Sequence, residues 1–431
     1  MRVLVVGAGV AGLAAARGLI RSGHEVEVYE RAPGLRTVGG SVTLWSGSTG
    51  ILRDLDVDLT GVGRRIDAME SRSSGGRLLV TVDVAAVARR YGTPNVHLPR
   101  QRLVERLSDG LPDGVLRFGH TCAHVDHERG EITFADGSTA RGDVIVGADG
   151  RSSVVRDHLW GADPGRLTEW VTWQGFVRGP LDLVSSHRVV MMIGREGLCG
   201  LIPAGEGQLL WWFDHRTDHR APLPTSPVEA LTERFGHWAA PVPEVLASIG
   251  QIDRFTHHRH RVPKIWGRGR TTLAGDAAHS MPPTMAQGAN QALEDGWTLT
   301  RELTAPGLLL TDLGRAPDGP GPALDDPSPA LDRPDQVLDG PGLALDGPGQ
   351  VLDGPGSVTE RLRRYERIRS RQSARAANLA ATESTNKYRP QFLTRLLPDT
   401  LVTTGYTTWL RHVSNYLSTT DLPNGKPAHL R

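Results

Sequence analysis

Polarity along the chain changes period twice near its start. Residues 2 to 6, RVLVV, form a short apolar run of the kind a parallel strand buries on both faces. VAGLAAARGLIRSG then sets its apolar positions at helical spacing and stops at Gly23. EVEVYE follows with strict alternation, which predicts a second strand and so a βαβ unit. Two later runs, DVIVGADG at 143 to 150 and TTLAGDAAH at 271 to 279, are also strand-like and end in acid-bearing turns. The second continues through a proline bend into a helix. Between about 168 and 267 the pattern becomes strand-like runs, WVTWQGFV, RVVMMIG and LLWWFDH, separated by Gly/Pro turns. Leu362, Tyr365 and Ile368 then lie at helical spacing within Thr359 to Ser384, an amphipathic helix near the C-terminus.

These elements predict an α/β fold: a Rossmann-like dinucleotide-binding domain, a sheet-rich substrate domain and C-terminal helices. The first is discontinuous, over 1–167 and 268–304, and part of 66–95 is free to join the second, over 168–267; the helical region is 357–431. Residues 305–356 break the pattern. Leu324, Leu331, Leu338, Leu345 and Leu352 recur every seven residues, as in a coiled coil, but each repeat carries Pro. An interior Pro costs a helix roughly 3 kcal/mol. The segment is therefore read as a disordered low-complexity insertion, with a docking tail as the alternative.

At 431 residues the chain exceeds what one core supports, about 250 to 300 residues, so several domains are required. Its 49 basic and 48 acidic residues leave a formal charge of +1, which offers nothing to nucleic acid and favours a small-molecule partner. Cys122 and Cys199 are the only cysteines, too few for a disulfide framework and suited to a reducing cytoplasm. The N-terminal run imitates a secretion signal, but its glycines fall at nucleotide-turn spacing and the next strand continues the unit. No apolar run reaches the roughly 20 residues that span a bilayer, so a soluble, cytoplasmic protein without stable membrane insertion is expected.

VVGAGVAG places Gly7, Gly9 and Gly12 as G-x-G-x-x-G between strand and helix. Gly7 allows the tight turn, Gly9 lets a pyrophosphate approach the backbone, and Gly12 allows helix and strand to pack closely. Phosphates then sit at a helix N-terminus, where unpaired N–H groups favour negative charge. Glu30, ending the second strand, can accept hydrogen bonds from a ribose diol and would repel a 2′-phosphate. This motif leaves FAD and NAD both open.

Three signatures in order, GAGVAG with Glu30-Arg31, GADGRSSVVR with Asp149, and GDAAHSMPPTMAQGANQALED with Asp276, change that. So do HLPRQRLVERL, TWQGFV, GLIPAGEGQLLWWF and RYERIRSRQ. Over nearly its whole length outside the repeats, the chain resembles the flavoprotein aromatic hydroxylases. These are the single-component FAD-dependent monooxygenases that include salicylate hydroxylase, para-hydroxybenzoate hydroxylase and zeaxanthin epoxidase. The resemblance implies tightly bound FAD, held by Gly9, Ala11, Gly12, Glu30, Arg31, Gly40, Arg100, Cys122, Asp149, Asp276, Pro282, Gly288, Ala289 and Asn290. Glu30 would hold the adenosine ribose, Arg100 would run along the pyrophosphate and ribityl chain, and Asp276 would bind a ribityl hydroxyl. Cys122 would pack by the adenine. The helix start at Gly288, Ala289 and Asn290 would face the flavin pyrimidine, where N–H groups stabilise the charge of reduced flavin. Where the family shows G-x-G-I after the second strand, this chain has VGGSV, with Gly40 followed by Ser41.

The resemblance also implies the reaction. NADPH or NADH binds transiently and reduces FAD, and dioxygen forms a flavin C4a-hydroperoxide. That species hydroxylates or epoxidises an aromatic or other electron-rich small molecule. The flavin carries this chemistry, so no catalytic side chain is singled out and no metal is expected. A reductase of the geranylgeranyl reductase type, or a flavin-binding protein without turnover, is the alternative. Halogenases of this fold need an early lysine and a W-x-W-x-I-P stretch; no lysine here precedes Lys264, and WVTW has the wrong spacing. HHRH at 257 to 260 is read as part of a strand, since adjacent His point to opposite faces. His279 is read as shaping its turn. Trp173, Trp211, Phe213 and Pro283 are the candidates for the substrate pocket, Trp211 and Phe213 sharing one strand face.

Overall fold

A computed structural model describes residues 1–35, 40–163, 165–179, 181–205, 207–304, 357–382 and 398–420. The repeat segment 305–356 lies outside the described residues. Five parallel strands build the nucleotide-type sheet, in the order Thr271–Leu273, Val144–Gly147, Arg2–Val6, Glu25–Glu30 and Leu116–Phe118. Arg2–Val6 lies in the middle, and Val3, Leu4 and Val5 are fully buried, which is why that run is apolar without alternation. Helices Val10–Arg21 and Gly288–Leu303 cover the sheet side by side.

A second sheet has seven strands, in the order Asp253–Arg259, Arg166–Arg178, Gln208–Arg216, Leu198–Gly205, Arg188–Ile193, Ala68–Ser73 and Leu78–Asp83. It is antiparallel except where Arg188–Ile193 runs with Ala68–Ser73. The last two strands come from the 66–95 stretch. Two small sheets complete the β structure: Cys122–Asp126 with Glu131–Phe134 and Thr139–Arg141, and Ser41–Leu44 with Asn95–Pro99 and Arg64–Ile66.

The amphipathic helix expected near the C-terminus spans Val358–Ala380. It covers the outer strand of the parallel sheet, Thr271–Leu273, whose free edge would otherwise be exposed to pairing. Tyr365 donates its hydroxyl to the Leu273 carbonyl at 3.0 Å. Glu366 accepts from the Thr272 hydroxyl at 2.7 Å and the Trp266 N–H at 3.1 Å. Asp399–Val413 and Asn415–Thr420 follow as helices. Among the described residues no helix is long and apolar enough to cross a membrane.

Candidate cofactor and substrate site

All five strands end at the carboxyl edge of the parallel sheet, the edge at which open α/β sheets bind ligands. After Val6 the chain turns through Gly7, at φ +108°, into helix Val10–Arg21. A Cβ on Gly12 would run into the Gly7 carbonyl, whereas one on Gly9 would meet nothing within 4 Å. The turn is thus closed toward the protein and open in front of Gly9, the shape a phosphate at a helix N-terminus requires. On the neighbouring strand Glu30 accepts the Ala8 N–H at 2.9 Å and the Ala32 N–H at 3.0 Å, which fixes its carboxylate beside that turn. A cleft of about 990 Å³, counted to its open mouth, is lined by Gly9, Glu30, Arg31, Arg100, Cys122 and Asp149. Arg31 and Arg100 are exposed cations along it. Burial pushes the Cys122 thiol up to about 12, leaving a small neutral wall residue.

Asp149 uses its carboxylate within the protein. It accepts from the Ser153 hydroxyl at 2.5 Å and from the Val154 and Val155 N–H groups at 2.7 and 3.2 Å. It caps helix Val154–Trp160 and holds the turn at Gly150, and burial raises its pKa against those bonds. From that helix Arg156 reaches the Ala277 carbonyl at 3.4 Å, tying the second motif to the third.

The third motif rests on a buried ionic network. Gly275, at φ +63°, leaves no room for a Cβ, which would meet the Ala11 methyl at 2.8 Å. Its N–H donates to Asp295 Oδ2 at 2.7 Å; His279 Nε2 lies 2.6 Å from the same oxygen, and Arg369 Nε donates to Oδ1 at 2.7 Å. Burial works to raise the Asp295 pKa, but His279 and Arg369 outweigh it and hold the carboxylate ionised. His279 shapes the turn through this network. Asp276, next in sequence, is exposed and has no hydrogen-bond partner in the chain among the described residues. It lines a second cavity with Pro283, Gly288 and Ala289, of about 1540 Å³ counted to its mouth. Gly288 and Ala289 open a helix, so their N–H groups have no intrahelical acceptor.

Asn290 also braces the site. Its side chain accepts the Trp45 N–H at 3.0 Å and donates to the Thr43 carbonyl at 2.8 Å and the Ala286 carbonyl at 2.6 Å, clamping strand Ser41–Leu44 to the helix. Only its backbone remains at the helix start. Ala11, Gly12, Gly40 and Pro282 do not line either cavity; they place the residues that do. Gly40, for one, accepts the Arg100 N–H at 3.0 Å.

The floor of the second cavity is one face of the seven-stranded sheet, and three of the expected pocket aromatics lie on the other. Trp173, Trp211 and Phe213 are buried in a core behind the sheet with Leu231 and Phe235 of one helix and Trp238 just after it. Strand alternation sends Leu210, Trp212 and Asp214 into the cavity instead, beside Thr172 and Gln174 of the adjacent strand. Asp214 was the available sign: it shares parity with Trp212, and a carboxylate belongs more readily on a ligand face than in an apolar core. His97, Ser41, Tyr406 and Trp409 also line the cavity, and none was among the pocket residues expected from the sequence. His97 Nδ1 is 3.0 Å from the Thr43 hydroxyl, and burial pushes its pKa down to about 3, so the ring is neutral. His97 Nε2, the Ser41 hydroxyl and the Tyr406 hydroxyl are covered and have no partner among the described residues. Orphaned polar atoms around a cavity mark a place where a ligand supplies the missing bonds.

A nucleotide cleft beside a separate aromatic-lined cavity is the arrangement of a cofactor-dependent enzyme, with one space for the cofactor and another for the substrate. Comparison with known proteins makes the class specific. A family model described as an FAD binding domain matches residues 1–307. A 3-amino-4-hydroxybenzoate 2-monooxygenase of Streptomyces platensis is 33% identical over 317 residues, 70% of this chain and 80% of that protein. Aurachin C monooxygenase/isomerase of Stigmatella aurantiaca is 32% identical over 319 residues, 70% of this chain and 81% of that protein. Among solved structures, Klebsiella pneumoniae HpxO complexed with FAD and uric acid superposes with a TM-score of 0.76 at 22% identity, covering 96% of this chain and 97% of that one. A salicylate hydroxylase substrate complex gives a TM-score of 0.69 at 19% identity, covering 95% of each chain. Both share the fold. The chain belongs to the FAD-dependent aromatic monooxygenases. The residues present suit FAD on their own chemistry: an open face at Gly9, a carboxylate at Asp276 without a hydrogen-bond partner among the described residues, and N–H groups at Gly288 and Ala289 that have no intrahelical acceptor.

Proposed function

We propose that this monooxygenase consumes NADPH or NADH and dioxygen to hydroxylate or epoxidise an electron-rich aromatic small molecule in the cavity at Asp276. The observation that carries the reading is the meeting of the three motif turns at one sheet edge, next to a cavity walled by Trp45, Trp212 and Trp409. Bound FAD would supply the oxygen-transfer chemistry. In this reading Glu30 holds the adenosine ribose, Arg100 follows the pyrophosphate, and Asp276 receives a ribityl hydroxyl. The N–H groups of Gly288 and Ala289 stabilise negative charge on the flavin pyrimidine. The seven-stranded sheet and the Asp399–Val413 helix exclude water from the substrate. The relatives' names, which include a hydroxybenzoate and urate, support an aromatic or heteroaromatic substrate. Two buried, unpaired cysteines support a reducing cytoplasm as its place of work.

The test is oxygenation by the purified yellow protein. Compounds are screened for stimulated NAD(P)H oxidation, and the product is analysed for an atom of oxygen-18 taken from labelled dioxygen. Reduction of a substrate without dioxygen uptake would establish the reductase alternative instead.

A further inference from the structure

The charge of the second cavity bears on what it accepts. Asp214 is 3% exposed and lines the cavity. The Thr172 hydroxyl, also buried, donates to Asp214 Oδ1, and His257 Nε2 lies 2.7 Å from the same hydroxyl oxygen. Thr172 has one hydroxyl hydrogen, and it points to Asp214, so His257 must be the donor to Thr172. His257, Thr172 and Asp214 thus form a directed chain in which two donors in series end on one carboxylate. That polarity favours negative charge at Asp214.

No described residue lining the cavity is Arg or Lys. Among the described wall residues the two carboxylates, Asp214 and Asp276, are the only charged side chains, because burial holds His97 neutral. Much of the remaining wall is soft and apolar, with Met69, Met191, Trp212 and Trp409 suited to the faces and edges of an aromatic ring.

We infer that the substrate is an uncharged or cationic aromatic compound whose N–H or O–H group is received by Asp214, and that aromatic carboxylates are rejected. The inference rests on the oxygenase reading above and names the substrate class of that site. A substrate carboxylate would share a water-poor enclosure with Asp214 and find no guanidinium or ammonium among the described wall residues. Like charges brought together in such a place repel each other. A phenol, aniline or ring N–H carries a donor that the Asp214 carboxylate can accept alongside the Thr172 hydroxyl. Asp214 is a specificity-determining residue in this account and need take no proton during the reaction. A purely structural role, bracing Thr172 and His257 within the sheet, would affect stability without sorting ligands by charge.

Calorimetric titration of the flavin-loaded protein with matched ring pairs differing by one carboxylate separates these. The pairs are phenol against 4-hydroxybenzoate and 2-aminophenol against 3-amino-4-hydroxybenzoate. The uncharged member of each pair should bind on the order of tenfold or more tightly than its carboxylate. Asp214→Asn keeps an oxygen for Thr172 to bond and should shrink that ratio while FAD content is retained. Equal or tighter binding of the carboxylates to the wild-type protein would overturn the inference. So would binding of neither member of any pair, or a ratio unchanged in a flavin-loaded Asp214→Asn protein. A purified chain that holds no FAD would instead refute the oxygenase reading, and is recognised by absorbance before any titration.

Discussion

Gly9 and Gly12 stand three residues apart in one turn and answer different demands. Space in front of Gly9 is empty of protein, while Gly12 lies against the Gly7 carbonyl and the Val5 side chain. Both glycines were legible in the sequence, because the spacing encodes the turn. Their division of labour follows from the same spacing, and the space around each glycine agrees with it. Gly9→Val should fold and melt as the wild type does but lose FAD, since its side chain occupies only the space a phosphate would enter. Gly12→Val should lose stability itself, by roughly 1–3 kcal/mol, because helix and strand must separate to admit it. Flavin absorbance and urea unfolding of the two variants distinguish the cases. A Gly9→Val protein with normal FAD content would remove the phosphate site from this turn.

The helix Val358–Ala380 shows how an element far away in sequence completes the motif at Asp276. Arg369 is fully buried and bonds Asp295, the Gln291 carbonyl and the Gln291 side chain, with Glu294 3.9 Å away. Burial raises Glu294, and Arg369 opposes that rise. Removing the guanidinium in Arg369→Met leaves two carboxylates buried without it. The expected loss is about 3–5 kcal/mol in urea unfolding, and distinctly less when Asp295→Asn is already present. Equal losses in both backgrounds would mean that the pair is not coupled. The sequence announced an amphipathic helix here but not its partner, since apolar spacing says which face is buried and not against what. Strand Gln208–Arg216 carries the same lesson. Its alternation was readable, but both faces are rich in large apolar residues, and only the helices behind the sheet made Trp211 core and Trp212 cavity wall.

At the scale of the whole molecule, the chain leaves the parallel sheet, crosses the seven-stranded sheet and returns, then closes over itself with its C-terminal helices. The two ends flanking the repeat segment meet: Arg361 donates to the Leu303 and Thr304 carbonyls at 3.1 and 3.3 Å. A short Gly/Ser linker can therefore join Thr304 to Ser357 without moving either helix. Replacing 305–356 in this way should leave FAD content, melting temperature and substrate-stimulated NAD(P)H oxidation unchanged. A linker variant that fails to fold or to hold flavin would show that the repeats belong to the enzyme's architecture.

The sequence by itself determined the nucleotide turn, the acid ending the second strand, the two later acid-bearing turns and the order of domains. Each of these is written in local spacing: a φ that only glycine adopts readily, a side-chain period, a residue where a strand must stop. Tertiary structure alone decided that the three turns share one edge, that Asp149 and Asn290 hold the frame, and that Asp214 faces the substrate space. Those outcomes depend on which strands become neighbours and which sheet face a helix covers. Both are set by burial of surface contributed from distant parts of the chain, a quantity with no period in the sequence.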